Sequence, residues 1–293
     1  MKTVIPLKGA IFLTVIILLG AGSASGDFTR SHSSPQWMFL GKGISFSLIS
    51  AHRYYRKGKP DIALVRLEPS HVKLTLHHFR SHGADEPMNA AQWQRATGAM
   101  VVFNGSQYYP DLRPMGWFIQ DGKNLGTSLV KGWKGLLAAH PTRPGLPPAT
   151  VLDLMEHSYS LQSLPFKVAV QSMMLLDDRG NLRTRKSDWT ANRTAVAEDS
   201  EGRILIVCTQ GGYTLWEMAK LLREGTLGIR RAMVMDGGFE TQLSVRSGSF
   251  SYTLYGQWSI SDSGDRSMPG IRRPLPSVIG VDPMEKETDS RTP

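Results

Sequence analysis

The chain has 293 residues, 41% of them hydrophobic and 20% charged, which fits a globular fold with a sizeable core and excludes a low-complexity or fibrous chain. Its single cysteine, Cys208, excludes an intramolecular disulfide framework, and its position in the apolar run ILIVCT points to a buried structural thiol. The formal charge of +9, from 34 basic and 25 acidic residues, favours anionic partners, but the arginines are spread out and accompany no nucleic-acid motif, so no nucleic-acid partner is expected.

The first segment reads as an address. Lys2 and Lys8 precede an apolar run from about Ala10 to Ala21 and small residues from Gly22 to Gly26, the layout of a secretory signal peptide over residues 1–26. The apolar run is shorter than the ~20 residues a membrane span requires, so no transmembrane span is expected after its removal. The protein is thus expected to be exported, to the periplasm or beyond. The remaining stretch of roughly 265 residues suits one large domain, with no linker or internal repeat to divide it. Residues 27–60 form a polar segment and first strand, 61–282 the main domain and 283–293 a disordered tail.

Strands are expected at Met38 to Ser50, Ile62 to Glu68 and Val72 to Phe79, the last by alternation of Val72, Leu74 and Leu76 with Lys73, Thr75 and His77. NAAQWQRA, from Asn89, reads as a short capped helix. Ala99 to Phe103 is a strand, and Met115 to Ile119 and Lys123 to Leu129 form a hairpin around Asp121-Gly122. HPTRPGLPPA, with four prolines, reads as a surface loop. Phe166 to Leu176, Arg203 to Thr209 and Arg231 to Met235 are further strands, with EDSEG as a solvated hairpin tip. TLWEMAKLLREG is the best-defined helix, with a Thr214/Glu217 capping box and a stripe of Leu215, Met218, Ala219 and Leu222 before Gly225. Strands follow at Gln242 to Val245, Tyr252 to Ile260 and Ser277 to Val281. Because strands outnumber helices without alternating with them, the class is α+β: a large mixed or antiparallel sheet flanked by a few helices, in a single domain.

Four segments concentrate polar groups at the ends of apolar strands. VVFNGSQYYP stops at Asn104, then runs through Gly105 to Tyr108 and Tyr109. MVMDGGFETQL stops at Asp236 before Gly237 and Gly238, whose backbones can approach closely and converge their N–H groups on an anion. In TANRTAVAED, Arg193 precedes a strand and could fork two N–H groups onto a phosphate, followed by Thr194. In VAVQSMMLL, Gln171 and Ser172 interrupt an apolar run and need partners.

Taken together, FNGSQYYPDLRPMG, AVQSMMLLDDRG, NRTAVAEDSEGRILIVCTQGGYTLWEMAKLL and AMVMDGGFETQL resemble the phosphodiester glycosidase family. The closing segment RRPLPSVIGV is also similar, and the resemblance runs from about Asp61 to Val281. It implies an exported hydrolase that cleaves a glycosyl-phosphate bond in a phosphorylated glycan or sugar-phosphate of the cell surface or surroundings. Asp236, Arg193 and Asn104 would be catalytic. Arg193 with the Gly237 and Gly238 amides would hold the phosphate, Asp236 would orient water or stabilise oxocarbenium charge, and Glu240 is a second carboxylate candidate. Asn104 would position sugar or phosphate and Tyr108 or Tyr109 would stack on the ring, with Gly105, Gln171, Ser172 and Thr194 completing the substrate site.

The chain departs from the family pattern beside that site: Gln107 is inserted before Tyr108, Gln210-Gly211-Gly212 replaces an Asp-Gly turn, and Phe239-Glu240 follows Asp-Gly-Gly. No cofactor is called for, although divalent-metal assistance stays open. The His77, His78 and His82 cluster is not read as a metal site, since alternation sends His77 and His78 to opposite faces. An alternative with the same residues is a non-catalytic binder of anionic glycan.

Overall fold

The computed structural model describes residues 34–261 and 264–284, all of them within one compact unit. The expected signal peptide and most of the expected tail lie outside these residues.

The architecture is dominated by strands, but they build three larger sheets instead of one, and every strand pairing among the described residues is antiparallel. A seven-stranded sheet has the spatial order Met38–Gly41, Ile44–Ser50, Asp61–Leu67, Ile204–Thr209, Thr194–Asp199, Ile229–Val234 and Met174–Leu176. A five-stranded sheet runs Phe250–Tyr255, Gln242–Ser247, Val101–Asn104, Ser277–Pro283 and Val72–His78. A second five-stranded sheet runs Lys123–Asn124, Phe118–Gln120, Phe166–Ser172, Gly135–Pro141 and Ala149–Asp153. Trp258–Ser261 pairs with Gly264–Ser267 in a separate ribbon.

The central core lies where inner faces of the three sheets meet, with Phe46, Val65 and Ile206 from the first, Phe103 and Ile279 from the second, and Phe118 and Val168 from the third. The seven-stranded sheet is apolar on both faces. Its other face, carrying Ile62, Leu64, Ala195 and Val207, packs against the helix Leu215–Glu224 through Met218, Ala219, Leu221 and Leu222. This two-sided burial explains why ILIVCT has no polar alternation, and why Cys208 is fully buried with its thiol pKa pushed up to about 12 by burial.

Both helices carry the capping boxes expected of them. Asn89 accepts from Gln92 N and Thr214 from Glu217 N, and the N3 side chain returns to the cap in each. Trp93, on the helix Ala90–Thr97, is buried against Val102 and Val278 of the second sheet. His77 and His82 lie beside this tryptophan, and burial, then the His82 charge, lowers the His77 pKa to about 4.

The sequence reading needs several corrections. Met38 to Ser50 is a hairpin turned at Lys42-Gly43. Phe166 to Leu176 changes sheets at Met173: Ser172 pairs with Gly135, whereas Met174 pairs with Met233. Such a corner is how packed sheets share one chain. Strands flank a shorter proline loop at residues 142–148, as Gly135–Pro141 and Ala149–Asp153. Tyr252 to Ile260 is broken at Gly256 and Gln257. Glu198 and Asp199 are buried strand residues, not part of a solvated tip.

Candidate active site

The candidate site forms where strand ends of two sheets converge. In the seven-stranded sheet, the start of Thr194–Asp199 lies beside the finish of its antiparallel neighbour Ile229–Val234, and Met235 N donates to Thr194 O at 2.8 Å. Antiparallel pairing therefore brings Arg193 and Asp236 to one edge, although 43 positions separate them in the chain. From the second sheet, the end of Val101–Asn104 arrives at the same place. Asp236 N donates to Gly105 O at 3.2 Å, and Asn104 Nδ2 donates to Asp236 O at 2.9 Å.

Asn104 is wholly buried, and its amide is used up within the fold. Oδ1 accepts from Thr194 Oγ1 at 2.7 Å and from Gln242 N at 3.2 Å, while Nδ2 donates to Gly105 O as well as to Asp236 O. The expectation that Asn104 touches sugar or phosphate gives way: it is a positioning residue that ties three strand ends around Asp236. Thr194 and Gly105 belong to the same knot.

Gln171 is corrected in the same way. It is wholly buried, accepts from Val130 N at 3.0 Å, and donates to Val130 O and Trp133 O, both at 2.9 Å, so it pins a loop and lies outside the site. Ser172 sits beneath the site, donating to Gln107 Oε1 at 3.2 Å.

The Asp-Gly-Gly turn also differs from the expected anion nest. Gly237 N donates to Asp236 Oδ1 at 2.9 Å, and Gly238 N donates to Asn192 O at 2.9 Å, so neither amide is directed at a ligand. Gly238, with φ 71°, holds a left-handed conformation that a side chain would resist. This turns the chain into the short helical turn Gly238–Glu240 and brings the Glu240 carboxylate back toward Asp236.

A cavity of about 270 Å³ opens over these residues, lined among others by Gln107, Met173, Arg193, Asp236, Glu240 and Ser259. Arg193 is anchored by Nε to Tyr213 O at 2.9 Å and by Nη2 to Trp189 O at 2.7 Å. Its Nη1 lies beside Gly237, where a Cβ would stand 3.3 Å away. Burial lowers the Arg193 pKa to about 10, against the opposing pull of the Asp236 charge.

Asp236 is pushed the other way, up to about 7. Burial is the main cause and the Glu240 charge the second, while the Gly237 N–H, Arg193 and Arg273 oppose them. Glu240 accepts from Tyr108 OH at 3.2 Å and pairs with Arg273 Nε at 3.2 Å. Burial, followed by the Glu240 and Asp236 charges, raises the Tyr108 pKa to about 12. Tyr108 is therefore bound to a carboxylate, and Tyr109 lies in the tight turn that closes from Tyr109 N to Arg113 O at 2.9 Å.

Two residues of this neighbourhood escaped the sequence reading. Arg273 lies in the RRPLP segment, where only its doubled arginine distinguished it. Asn192, next to Arg193, is wholly buried. It donates to Thr209 O at 2.7 Å and accepts from Gln257 N and Trp258 N, both at 2.7 Å, holding the last wall of the cavity. Asn104-Gly105-Ser106 and Asn192-Arg193-Thr194 match the Asn-x-Ser/Thr glycosylation sequon, and burial of both asparagines closes these positions in the folded protein. Among the described residues no group of three or more His, Cys, Asp or Glu side chains is placed to hold a metal ion. No helix among them is long and apolar enough to cross a membrane.

This convergence coincides with a family match over residues 97–282, described as phosphodiester glycosidase, which spans all of these site residues. The chain belongs to the phosphodiester glycosidase family. The family match begins later than the resemblance expected from about Asp61. Solved structures extend the likeness in fold. The catalytic domain of zebrafish N-acetylglucosamine-1-phosphodiester alpha-N-acetylglucosaminidase, auto-inhibited by its pro-peptide, matches with a TM-score of 0.56 at 15% identity, over 86% of this chain and 88% of that one. A hypothetical protein from Synechocystis matches at 0.54 and 14% identity, over 85% of this chain and 63% of that one. A putative exported protein from Burkholderia pseudomallei matches at 0.54 and 10% identity, over 86% and 97%. No curated protein matches the chain in sequence.

Proposed function

We propose that this protein is an exported hydrolase that cleaves the glycosyl–phosphate bond of a sugar-1-phosphodiester in a cell-surface or extracellular glycan. Membership of the phosphodiester glycosidase family supports the bond type, and the basic and apolar N-terminal sequence supports export. The observation that carries the reading is the pair of carboxyl groups in unlike surroundings beside an anchored arginine. Asp236 is held near neutrality and faces Glu240, which is paired with Arg273.

In the proposed reaction the bond between sugar C1 and the phosphate oxygen breaks and water attacks C1. The bond's electron pair leaves with the phosphate oxygen, giving a phosphomonoester. Such a leaving group needs little help from an acid, so the demand falls on the water. Asp236 in its ionised form accepts the proton that water loses. A base with pKa about 7 is well matched to that task near neutral pH, where it is both substantially ionised and basic enough. Arg193 Nη1 and Arg273 supply positive charge for the phosphate, and Tyr108 with Arg273 fixes Glu240 where it raises the basicity of Asp236.

Free sugar released from a panel of sugar-1-phosphodiesters tests the reading. Wild-type kcat/KM is expected to rise with pH through about 7 as Asp236 loses its proton, and Asp236→Asn to lose about 10²–10⁴-fold while keeping its fold. Unchanged turnover in that variant would remove Asp236 from the chemistry. No release from any diester, with measurable affinity for anionic glycans, would establish a binding protein instead.

A further inference from the structure

The catalytic cavity shares a wall with a larger one. After the strand Phe250–Tyr255, Gly256 N donates to Thr241 O at 2.7 Å, and Gly256 lies so close to Gly238 O that a Cβ has no room. The chain is thereby drawn against the Asp-Gly-Gly turn, and two consecutive residues divide the space. Ser259 lines the catalytic cavity, whereas Trp258 lines a cavity of about 510 Å³. The closing segment repeats this division. Arg273 reaches Glu240, while Arg272 lies over the Tyr255 ring, 5.5 Å from its centroid, and lines the larger cavity.

The chemistry of the larger cavity is distinct. Tyr255 and Trp258 offer partly exposed rings, Gln257 offers an amide and Gln210 its amide oxygen, since Gln210 Nε2 donates to Tyr252 OH at 3.0 Å, and Lys59 and Arg272 offer cations. None of the described lining residues is acidic. Aromatic faces suit the C–H faces of pyranose rings, amides suit hydroxyl groups, and cations suit a phosphate or carboxylate substituent. A purely apolar ligand would leave the amides and cations unused.

We infer that this cleft is a distal glycan subsite, so that the substrate is an anionic oligosaccharide chain extending past Trp258 from the scissile bond. The inference rests on the proposed glycosyl-phosphate specificity, because a position just across this wall from the catalytic cavity selects a glycan over another stacking polyanion such as single-stranded nucleic acid. Arg272 and Lys59 hold an anionic group of the chain outside the reacting centre, and the Tyr255 and Trp258 rings hold its sugars. The subsite contributes to binding and leaves the chemistry to Asp236.

Binding to the Asp236→Asn protein separates this inference from catalysis. Fluorescence anisotropy would compare four labelled probes: a phosphodiester-linked hexasaccharide, its phosphate-free counterpart, a single-sugar 1-phosphodiester and a thymidine hexanucleotide. The anionic hexasaccharide is expected to bind about tenfold or more tightly than each of the other three. Adding Tyr255→Ala or Arg272→Ala is expected to remove that advantage and leave single-sugar affinity unchanged. Arg272 is exposed, so its variant serves even where Tyr255→Ala fails to fold. A hexasaccharide bound no better than the single sugar, equal binding of the phosphate-free chain or the thymidine hexamer, or equal losses for long and short ligands would overturn the subsite. Wild-type protein that binds the long probe in this way but hydrolyses no diester would sink the hydrolase reading and leave the subsite standing. Hydrolysis of the anionic hexasaccharide with a KM that neither variant raises in the otherwise wild-type protein would do the reverse.

Discussion

Two groups of carboxylates in this protein occupy similar positions on one sheet and are treated in opposite ways. At the far end of Thr194–Asp199, Glu198 is almost fully buried and fully engaged. It accepts from Thr150 Oγ1 at 2.7 Å, Val151 N at 2.8 Å, Arg231 Nη2 at 2.7 Å and Arg230 Nη2 at 3.3 Å. At the near end, Asp236 has Gly237 N on one oxygen, faces a second carboxylate, and has Arg193 close by with two of its nitrogens already committed elsewhere. A carboxylate saturated by donors is a structural fixture, whereas one left short of donors beside a like charge stays ready to exchange a proton. Both ends of the sheet carry acids and arginines, so residue type alone does not tell them apart.

The sharpest way to break the comparison is to unmake the saturated end. Glu198→Ala leaves Arg231 buried without its main partner and is expected to cost about 3–5 kcal/mol in denaturant unfolding, with kcat/KM of the surviving folded fraction unchanged. A loss of activity in the folded fraction would mean that the two ends are coupled.

Asn104→Ala comes next. It strips partners from Thr194 Oγ1, Gln242 N and Asp236 O at once and is expected to cost about 1–3 kcal/mol. Its activity is also expected to fall, through kcat more than KM, because Asn104 touches the backbone of Asp236 and not the cavity. A change confined to KM would return Asn104 to the role of substrate contact.

The smallest effect is the most diagnostic. Glu240→Gln removes the charge that helps to raise the Asp236 pKa, so the acid limb of kcat/KM is expected to move below its wild-type position near 7. The same shift has a signature in stability. The folded protein keeps the Asp236 proton to higher pH than the unfolded chain, whose carboxyl has the ordinary value of 3.8. The stability due to that proton is therefore present below about pH 4 and lost as pH rises towards 7. Asp236→Asn should accordingly melt higher than wild type at pH 8 and show little or no such advantage at pH 4.

Much of the local structure was legible because its causes are local. The capping boxes at Asn89 and Thr214, the alternation in Val72–His78 and the Asp121-Gly122 hairpin each depend on residues a few positions apart. Sheet membership was not legible. Phe166 to Leu176 reads as one apolar run, yet it serves two sheets, and nothing in the run marks Met173 as the corner. EDSEG misled for a related reason. Its polarity suits a turn, but Glu198 and Asp199 are satisfied by Arg231 and Arg203, partners reached only across strands. Among the site residues, Asp236, Arg193 and Glu240 stood out by motif, while Arg273 became visible only when the last strand brought the closing segment over the Asp-Gly-Gly turn.

The sequence alone determined which residues could form strands and helices, where several of the turns fall, and that polar strand ends sharing the family's order occur in this chain, because periodicity, capping and turn chemistry act within a few residues. Tertiary structure decided what those polar groups do. Asn104 and Gln171 are consumed as braces, the Gly237 and Gly238 amides are turned inward, and Asp236 is left with a rival carboxylate. Hydrogen-bond saturation and pKa depend on what stands within a few ångströms, and in this fold many of those neighbours come from chain segments tens to more than a hundred residues away.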